Sequence, residues 1–241
     1  MYVMRGLIWA GLVMFLVGCN SGKVEELTRQ NQTLQTQLDT LLVQNKRLQD
    51  DFARLKRDFG KIETLSQKLS GVSAKIMTTM GEIDVELYPD KAPLHCLSFI
   101  ARAESGFYNN TQFHRVIPGF MIQGGDPNSR DDNPDDDGRG GPSVMIPHEF
   151  NDIRHERGVL STARVGDPRV GAGSQFFIMH GDNFNLDRQY TVFGRVTKGM
   201  EVVDEIATTP TYKNKRPAQA DHPIKPVRIR RIEIVTPTAS R

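Results

Sequence analysis

The sequence predicts a mainly β domain, an antiparallel barrel capped by two helices, carried behind a long helical segment. Three observations point there. Many short runs alternate apolar with polar residues between Gly, Pro, Asn and Asp, as half-buried strands do. Two stretches, one beginning at Pro93 and one around Val202, carry apolar residues at helical spacing instead. Ahead of them lies a proline-free stretch whose apolar residues recur every three or four positions.

A chain of 241 residues can bury a sizeable core and still carry an appendage. The formal net charge of +2 gives no reason to expect a nucleic-acid partner. Two cysteines, Cys19 and Cys96, are too few for a disulfide framework.

Met1–Arg5 carries one positive charge, Leu7–Val17 is apolar or small, and Gly18-Cys19 follows. That run fits the roughly 7–15 residues of a signal h-region and falls short of the ~20 needed to cross a bilayer. Residues 1–18 therefore read as a signal peptide. Leu16-Val17-Gly18-Cys19 resembles the lipobox of bacterial lipoproteins, which implies that Cys19 becomes the lipidated first residue, with 19–22 as a linker. Several hydrocarbon chains at one cysteine anchor stably where a single chain is marginal. The chain is thus expected on a membrane of the bacterial envelope, facing the periplasm. Asn20 rather than Asp after the cysteine favours the outer membrane. Ordinary signal cleavage beside a chance cysteine is the alternative. With Cys19 lipidated, Cys96 has no intrachain partner and is expected as a small buried residue on a helix.

Residues 23–70 keep one seam: Val24, Leu27, Asn31, Leu34, Leu38, Leu41, Asn45, Leu48, Phe52, Leu55, Phe59, Ile62, Ser66 and Leu69. Roughly six heptads of this kind predict a coiled coil and a homo-oligomer, and a helix on the order of 70 Å long. Asn31 and Asn45 fall at a positions, where buried asparagine sets alignment. Gly60 weakens the helix, and a single amphipathic helix packed on the domain or a partly disordered stalk is the alternative. Gly71-Val72-Ser73 reads as a hinge.

The domain spans 74–235, with 236–241 as a tail. Ile76–Tyr88 alternates around Gly81 and reads as a hairpin with Ile83, Val85 and Leu87 on one face. Pro93 begins a helix expected to turn Leu94, Leu97, Ile100 and Ala101 inward, ending at Ser105-Gly106. Val202, Val203 and Ile206 mark the second helix, and Val227–Val235 a closing strand.

The stretch Phe113–Asp126, Phe-His-Arg-Val-Ile-Pro-Gly-Phe-Met-Ile-Gln-Gly-Gly-Asp, holds the densest chemistry. By alternation Phe113, Arg115 and Ile117 face one way, and His114 and Val116 the other. After the break at Pro118-Gly119, Met121 and Gln123 share a face, opposite Phe120 and Ile122. Arg115, Met121 and Gln123 could converge on one patch. The plainer reading is a buried strand pair with an incidental arginine. A second stretch, Gly173-Ser174-Gln175-Phe176-Phe177-Ile178 followed by Leu186-Asp187 and Tyr190-Thr191-Val192-Phe193-Gly194, bears on the choice.

Together the two stretches closely resemble the cyclophilins, the cyclosporin-binding class of peptidyl-prolyl cis-trans isomerases, from roughly Ala74 to Val235. The resemblance implies an eight-stranded barrel, proline-containing polypeptides as substrates, and no cofactor. It implies Arg115 as the catalytic donor and Phe120, Met121, Phe177 and Leu186 as the proline pocket. Gln123 is implied to orient the substrate carbonyl, Gln175 to support it, and backbone around Ala163 and Arg164 to pair with the peptide. Tyr190 is implied as an aromatic wall. Arg164, Asn185 and Tyr190 stand where the best-known cyclophilins carry asparagine, tryptophan and histidine. Without the indole, cyclosporin is expected to inhibit weakly. An insertion around Arg164–Val170 has no readable shape.

Asp131, Asp132, Asp135, Asp136 and Asp137 crowd one loop without the ligand spacing of a calcium site. They are expected to form a solvated loop extended by mutual repulsion. The six histidines include no zinc-like pair, and a satisfied packing role is expected of His114. The function expected is a prolyl isomerase assisting the folding of exported proteins. Its alternatives are a non-catalytic proline-peptide module or a coiled-coil scaffold.

Overall fold

The computed structural model describes residues 3–164, 166–167, 170–213 and 216–237; for residues 3–21, Leu55 and Phe59 it describes the helix backbone alone. Cys19 and the seam positions Leu55 and Phe59 therefore have side chains outside the described residues, as do Val165, Pro168 and Arg169 of the insertion. The chain divides into two units, Met1–Gly60 and Lys61–Arg241.

Helix α1, Val3–Lys68, fills the first unit and runs into the second. No proline interrupts it, and Thr28, Thr33, Thr36 and Thr40 return their hydroxyls to the carbonyl one turn back. Its seam stays open in the single chain: Leu27, Leu34, Leu38, Leu41, Leu48 and Phe52 are all exposed, as are Leu42 and Val43 beside it. Among the described residues no helix is long and apolar enough to cross a membrane.

The second unit is built on eight antiparallel strands: β1 Ser73–Thr78, β2 Glu82–Leu87, β3 Arg115–Ile117, β4 Met121–Gly124, β5 Val159–Arg164, β6 Ala172–Met179, β7 Val192–Lys198 and β8 Ile229–Val235. Their order across the sheet is β3-β4-β6-β5-β7-β2-β1-β8. The outermost strands are not laddered to each other. The Phe113 N–H to Val227 carbonyl bond of 2.9 Å and an isolated bridge from Gln112 to Arg228 draw their approaches together. The sheet is a half-barrel rather than a fully laddered cylinder.

The main core draws on every strand: Ile76, Ile83, Val116, Ile122, Leu160, Phe176, Phe193 and Ile229 are among its members. Phe176 lies at its centre, with Phe99, Tyr108 and Phe113 all set edge-on to it. Each such pair adds about 0.5–1.5 kcal/mol beyond area burial. Helix α3, Met200–Ala207, buries Val202, Val203 and Ile206 as expected.

Helix α2, Pro93–Glu104, buries a different face from the one expected: Cys96, Phe99, Ile100 and Ala103 point inward, while Leu97 and Ala101 are exposed. The core takes the face carrying Phe99, because an aromatic ring buries more area than either leucine. Cys96 is fully buried, and burial pushes its thiol up to about 12. The stretch read as a hinge is built into the fold. Leu69 packs on the core, Val72 is buried in it, and Ser73 already pairs with Glu86 and Val235.

Candidate active site

Strand alternation places the site. Even-numbered Val116, Ile122, Leu160, Phe176 and Ile178 go to the main core, and their odd-numbered neighbours go to the opposite face. There Met121, Val159, Phe177, Met179 and Val192 form a second apolar cluster, joined by Ile117, Phe120, Ala163, Leu186 and Tyr190. One row of paired residues, Arg115–Gln123–Phe177–Ser161–Val192, crosses five strands on that face.

Over this cluster lies a pocket of about 120 Å³ lined by Arg115, Phe120, Met121, Gln123, Ala163, Arg164, Phe177, Leu186 and Tyr190. The expected site residues thus gather in one place, Gln175 alone standing just outside. Gln175 accepts from the Gln123 Nε2 at 2.9 Å and donates to the Gly138 and Gly140 carbonyls. It lines an adjoining cleft of about 490 Å³ that shares Gln123, Ala163 and Arg164 with the pocket.

Two residues sit otherwise than simple alternation predicts. Phe113 belongs to the main core with Val116, because the strand begins only at Arg115. Phe120 lies in the turn before β4, where alternation does not hold, and so joins the pocket with Met121. That turn needs Gly119, whose φ of +78° is strained for other residues.

Tyr190 meets Phe177 edge-on at 5.7 Å, and the Arg164 guanidinium lies 4.6 Å from the Tyr190 ring. Arg164 also donates to the Gln189 and Gly166 carbonyls. The β5–β6 ladder slips between Thr162 and Arg164, which puts Ala163 at an irregularity facing the pocket. Asn185 occupies the turn Phe184–Leu186, its N–H bonded to the Asn183 side chain.

Beneath Phe177 runs a chain that the sequence did not reveal. Asp187 Oδ1 lies 3.1 Å from His155 Nδ1, and His155 Nε2 lies 3.1 Å from Ser161 Oγ. Burial lowers the His155 pKa against the pull of Asp187. The Asp187 carboxyl is itself held below its ordinary range: burial opposes its charge, but bonds from the His155 backbone and ring outweigh it. Ser161 and His155 are fully buried, and the serine hydroxyl is shared with the Thr191 carbonyl at 2.9 Å. Such a chain braces the pocket floor and presents no nucleophile. Ser161 and Asp187 lie 6 and 32 residues from His155, too scattered for a motif.

The acidic loop is folded back rather than extended. Asp132 pairs with Arg228, Asp135 with Arg216 and Gln219, and Asp137 with His222 at 2.8 Å. The guanidinium groups of Arg216 and Arg228 offset the mutual repulsion, and the His222 ring adds a hydrogen bond. Asp126 lies behind it and accepts from the Asn128, Gly138 and Gly140 N–H groups. His114 is buried, but neither ring nitrogen has a hydrogen-bond partner, so its role is packing without satisfaction. Burial lowers its pKa, opposed by Asp126 and Asp137. Among the described residues no cluster of His, Cys, Asp and Glu could hold a metal ion.

Residues 73–234 match the family model for cyclophilin type peptidyl-prolyl cis-trans isomerase/CLD. The chain belongs to the cyclophilin family. It is 42% identical over 144 residues to peptidyl-prolyl cis-trans isomerase-like 3 of Dictyostelium discoideum, covering 58% of this chain and 84% of that one. It is 42% identical over 149 residues to a peptidyl-prolyl cis-trans isomerase of Acinetobacter baylyi, covering 59% and 76%. A cyclophilin type isomerase of Cryptosporidium parvum, crystallised in the presence of the dipeptide Ala-Pro, superposes with a TM-score of 0.60 at 32% identity, covering 68% of this chain and 99% of that one. The cyclophilin domain is a peptidyl-prolyl cis-trans isomerase.

Proposed function

We propose that this cyclophilin is a lipid-anchored folding catalyst of the bacterial envelope, accelerating X-Pro isomerisation in exported chains with Arg115 as its catalytic donor. The observation that carries the reading is the pocket itself, an apolar cup sized for a proline ring with Arg115, Arg164 and Gln123 among its lining.

Rotation about an X-Pro bond must break amide resonance, against a barrier of roughly 20 kcal/mol. In the twisted state the nitrogen regains a lone pair that can accept a hydrogen bond. A permanently charged guanidinium beside the pocket donates to that nitrogen and binds the twisted state in preference to either planar one. Phe120, Met121, Phe177 and Leu186 hold the ring while the preceding carbonyl swings. Gln123 gives one Nε2 hydrogen to Gln175 and keeps the other for that carbonyl. The Ala163–Arg164 backbone pairs with the peptide, and Tyr190 walls the pocket. No proton transfer or covalent step is required.

The anchor reading rests on the signal-like run and Cys19, and Asn20 favours the outer membrane. The open seam of α1 supports a homo-oligomeric coiled coil.

The test is the rate of prolyl isomerisation of a proline tetrapeptide by the full chain and by Arg115→Ala. The substitution is expected to lower kcat/KM on the order of 100-fold, as loss of one transition-state donor does. Peptide binding without rate enhancement would overturn the catalytic reading.

A further inference from the structure

The geometry points to Asp221 as the residue that positions the Arg115 guanidinium, an inference that rests on the catalytic reading of Arg115. Arg115 sits on β3, the end strand of the sheet, so one side of its backbone has no strand neighbour. The closing segment fills that side: the Val116 N–H donates to the Asp221 carbonyl at 2.8 Å. The side chain of Asp221 is thereby delivered beside that of Arg115, and Arg115 Nε donates to Asp221 Oδ2 at 3.4 Å.

Asp221 is presented by a segment held through its neighbour His222. The neighbouring His222 is buried, bonded through its ring to Asp137 Oδ2 at 2.8 Å and to the Pro223 carbonyl at 2.8 Å. Its backbone N–H donates to the Gln219 carbonyl, and its carbonyl accepts from Tyr212. The acidic loop therefore has a use beyond its own packing. Through Asp137 it pins the stretch that carries Asp221.

A guanidinium carries five N–H donors, and engaging Nε leaves the two Nη groups for the pocket. An arginine on an open surface otherwise samples many rotamers, and a misplacement of about 1 Å can cost on the order of 100-fold in rate. Both side chains are 44% exposed, so the charge attraction itself is weak and screened. What Asp221 supplies is a fixed acceptor, not a field. Asparagine offers the same acceptor without the charge, and alanine offers none.

The experiment compares Asp221→Ala, Asp221→Asn and Arg115→Ala, singly and combined, in the full chain, with kcat and KM measured separately. We expect Asp221→Ala to lower kcat about fivefold to tenfold with KM changed less than about twofold, because Arg115 acts on the twisted state. Asp221→Asn should keep kcat within about twofold of the parent. In the Arg115→Ala background, Asp221→Ala should change nothing further. Three results would overturn the inference: unchanged or raised kcat in Asp221→Ala, an Asp221→Asn loss equal to that of alanine, or an undiminished loss once Arg115 is gone. Should alanine unfold the chain, the asparagine variant still decides, since a kcat fall beyond about fivefold there contradicts an acceptor role. An inactive parent, or an Arg115→Ala chain as active as its parent, would instead remove the catalytic reading on which the inference stands.

Discussion

Phe176 and Phe177 are neighbours with opposite tasks. Phe176 packs at the centre of the main core, and Phe177 forms the floor of the pocket. Replacing Phe176 by Ala is expected to destabilise the chain by about 3–5 kcal/mol in denaturant unfolding. Phe177→Leu should leave unfolding far less affected and raise KM for a proline peptide instead. Equal effects of the two on stability would contradict the separation of faces. At His155 the sign of a pH effect follows from its lowered pKa. Below the ordinary value of 6.5 the unfolded chain takes up the proton first, so folding loses stability as pH falls through that value toward the depressed folded one. The contribution is complete above 6.5. Thermal unfolding at pH 7.5 and pH 5.5 should therefore show a larger fall for the parent than for His155→Gln, with a slope of up to about 1.4 kcal/mol per pH unit.

Among the elements, α1 and the segment that covers β3 show how an element's neighbours set its role. In α1 the residues Leu34, Leu38, Leu41 and Leu48 are exposed, an open apolar stripe on which the proposed coiled coil rests. Asn31 and Asn45 would then meet their counterparts in register, at some cost in stability. Replacing both by Leu is expected to raise the melting temperature of the stalk and broaden or shift the oligomeric distribution in sedimentation. A chain that sediments as a monomer with either sequence would argue against the coiled coil. The segment Pro217–Ile224 shows how an element with little regular structure can matter. It has one short 3-10 turn, yet it covers the open side of β3 and receives the acidic loop.

For the whole molecule, the proposed anchor at Cys19 would tie the isomerase and the stalk to a membrane. Cys19→Ala is expected to move the protein from the membrane fraction to the soluble fraction and to abolish labelling by a fatty-acid precursor. Isomerase activity of the released protein should match that of the parent, since the pocket lies wholly within the second unit. Unchanged membrane association would sink the lipoprotein reading without touching the isomerase.

The sequence by itself determined the parts governed by short-range rules. Alternation around Gly81 marked the first hairpin, Pro93 the start of a helix, and the spacing of Arg115, Met121 and Gln123 their shared face. Resemblance in two motifs supplied the rest of the pocket, including Phe120, which alternation alone assigned to the wrong side. Only the tertiary structure decided what depends on contacts between distant stretches. Leu97 is as apolar as Ile100, and nothing local says that Phe99 claims the core face of α2. The acidic loop repels itself in sequence, and it is Arg216 and Arg228 arriving from the far end of the chain, with a hydrogen bond from the His222 ring, that reverse that balance. Asp221 and Asp187 look like ordinary surface carboxylates in the sequence. Their roles depend on which backbone runs beside them, and long-range strand pairing settles that.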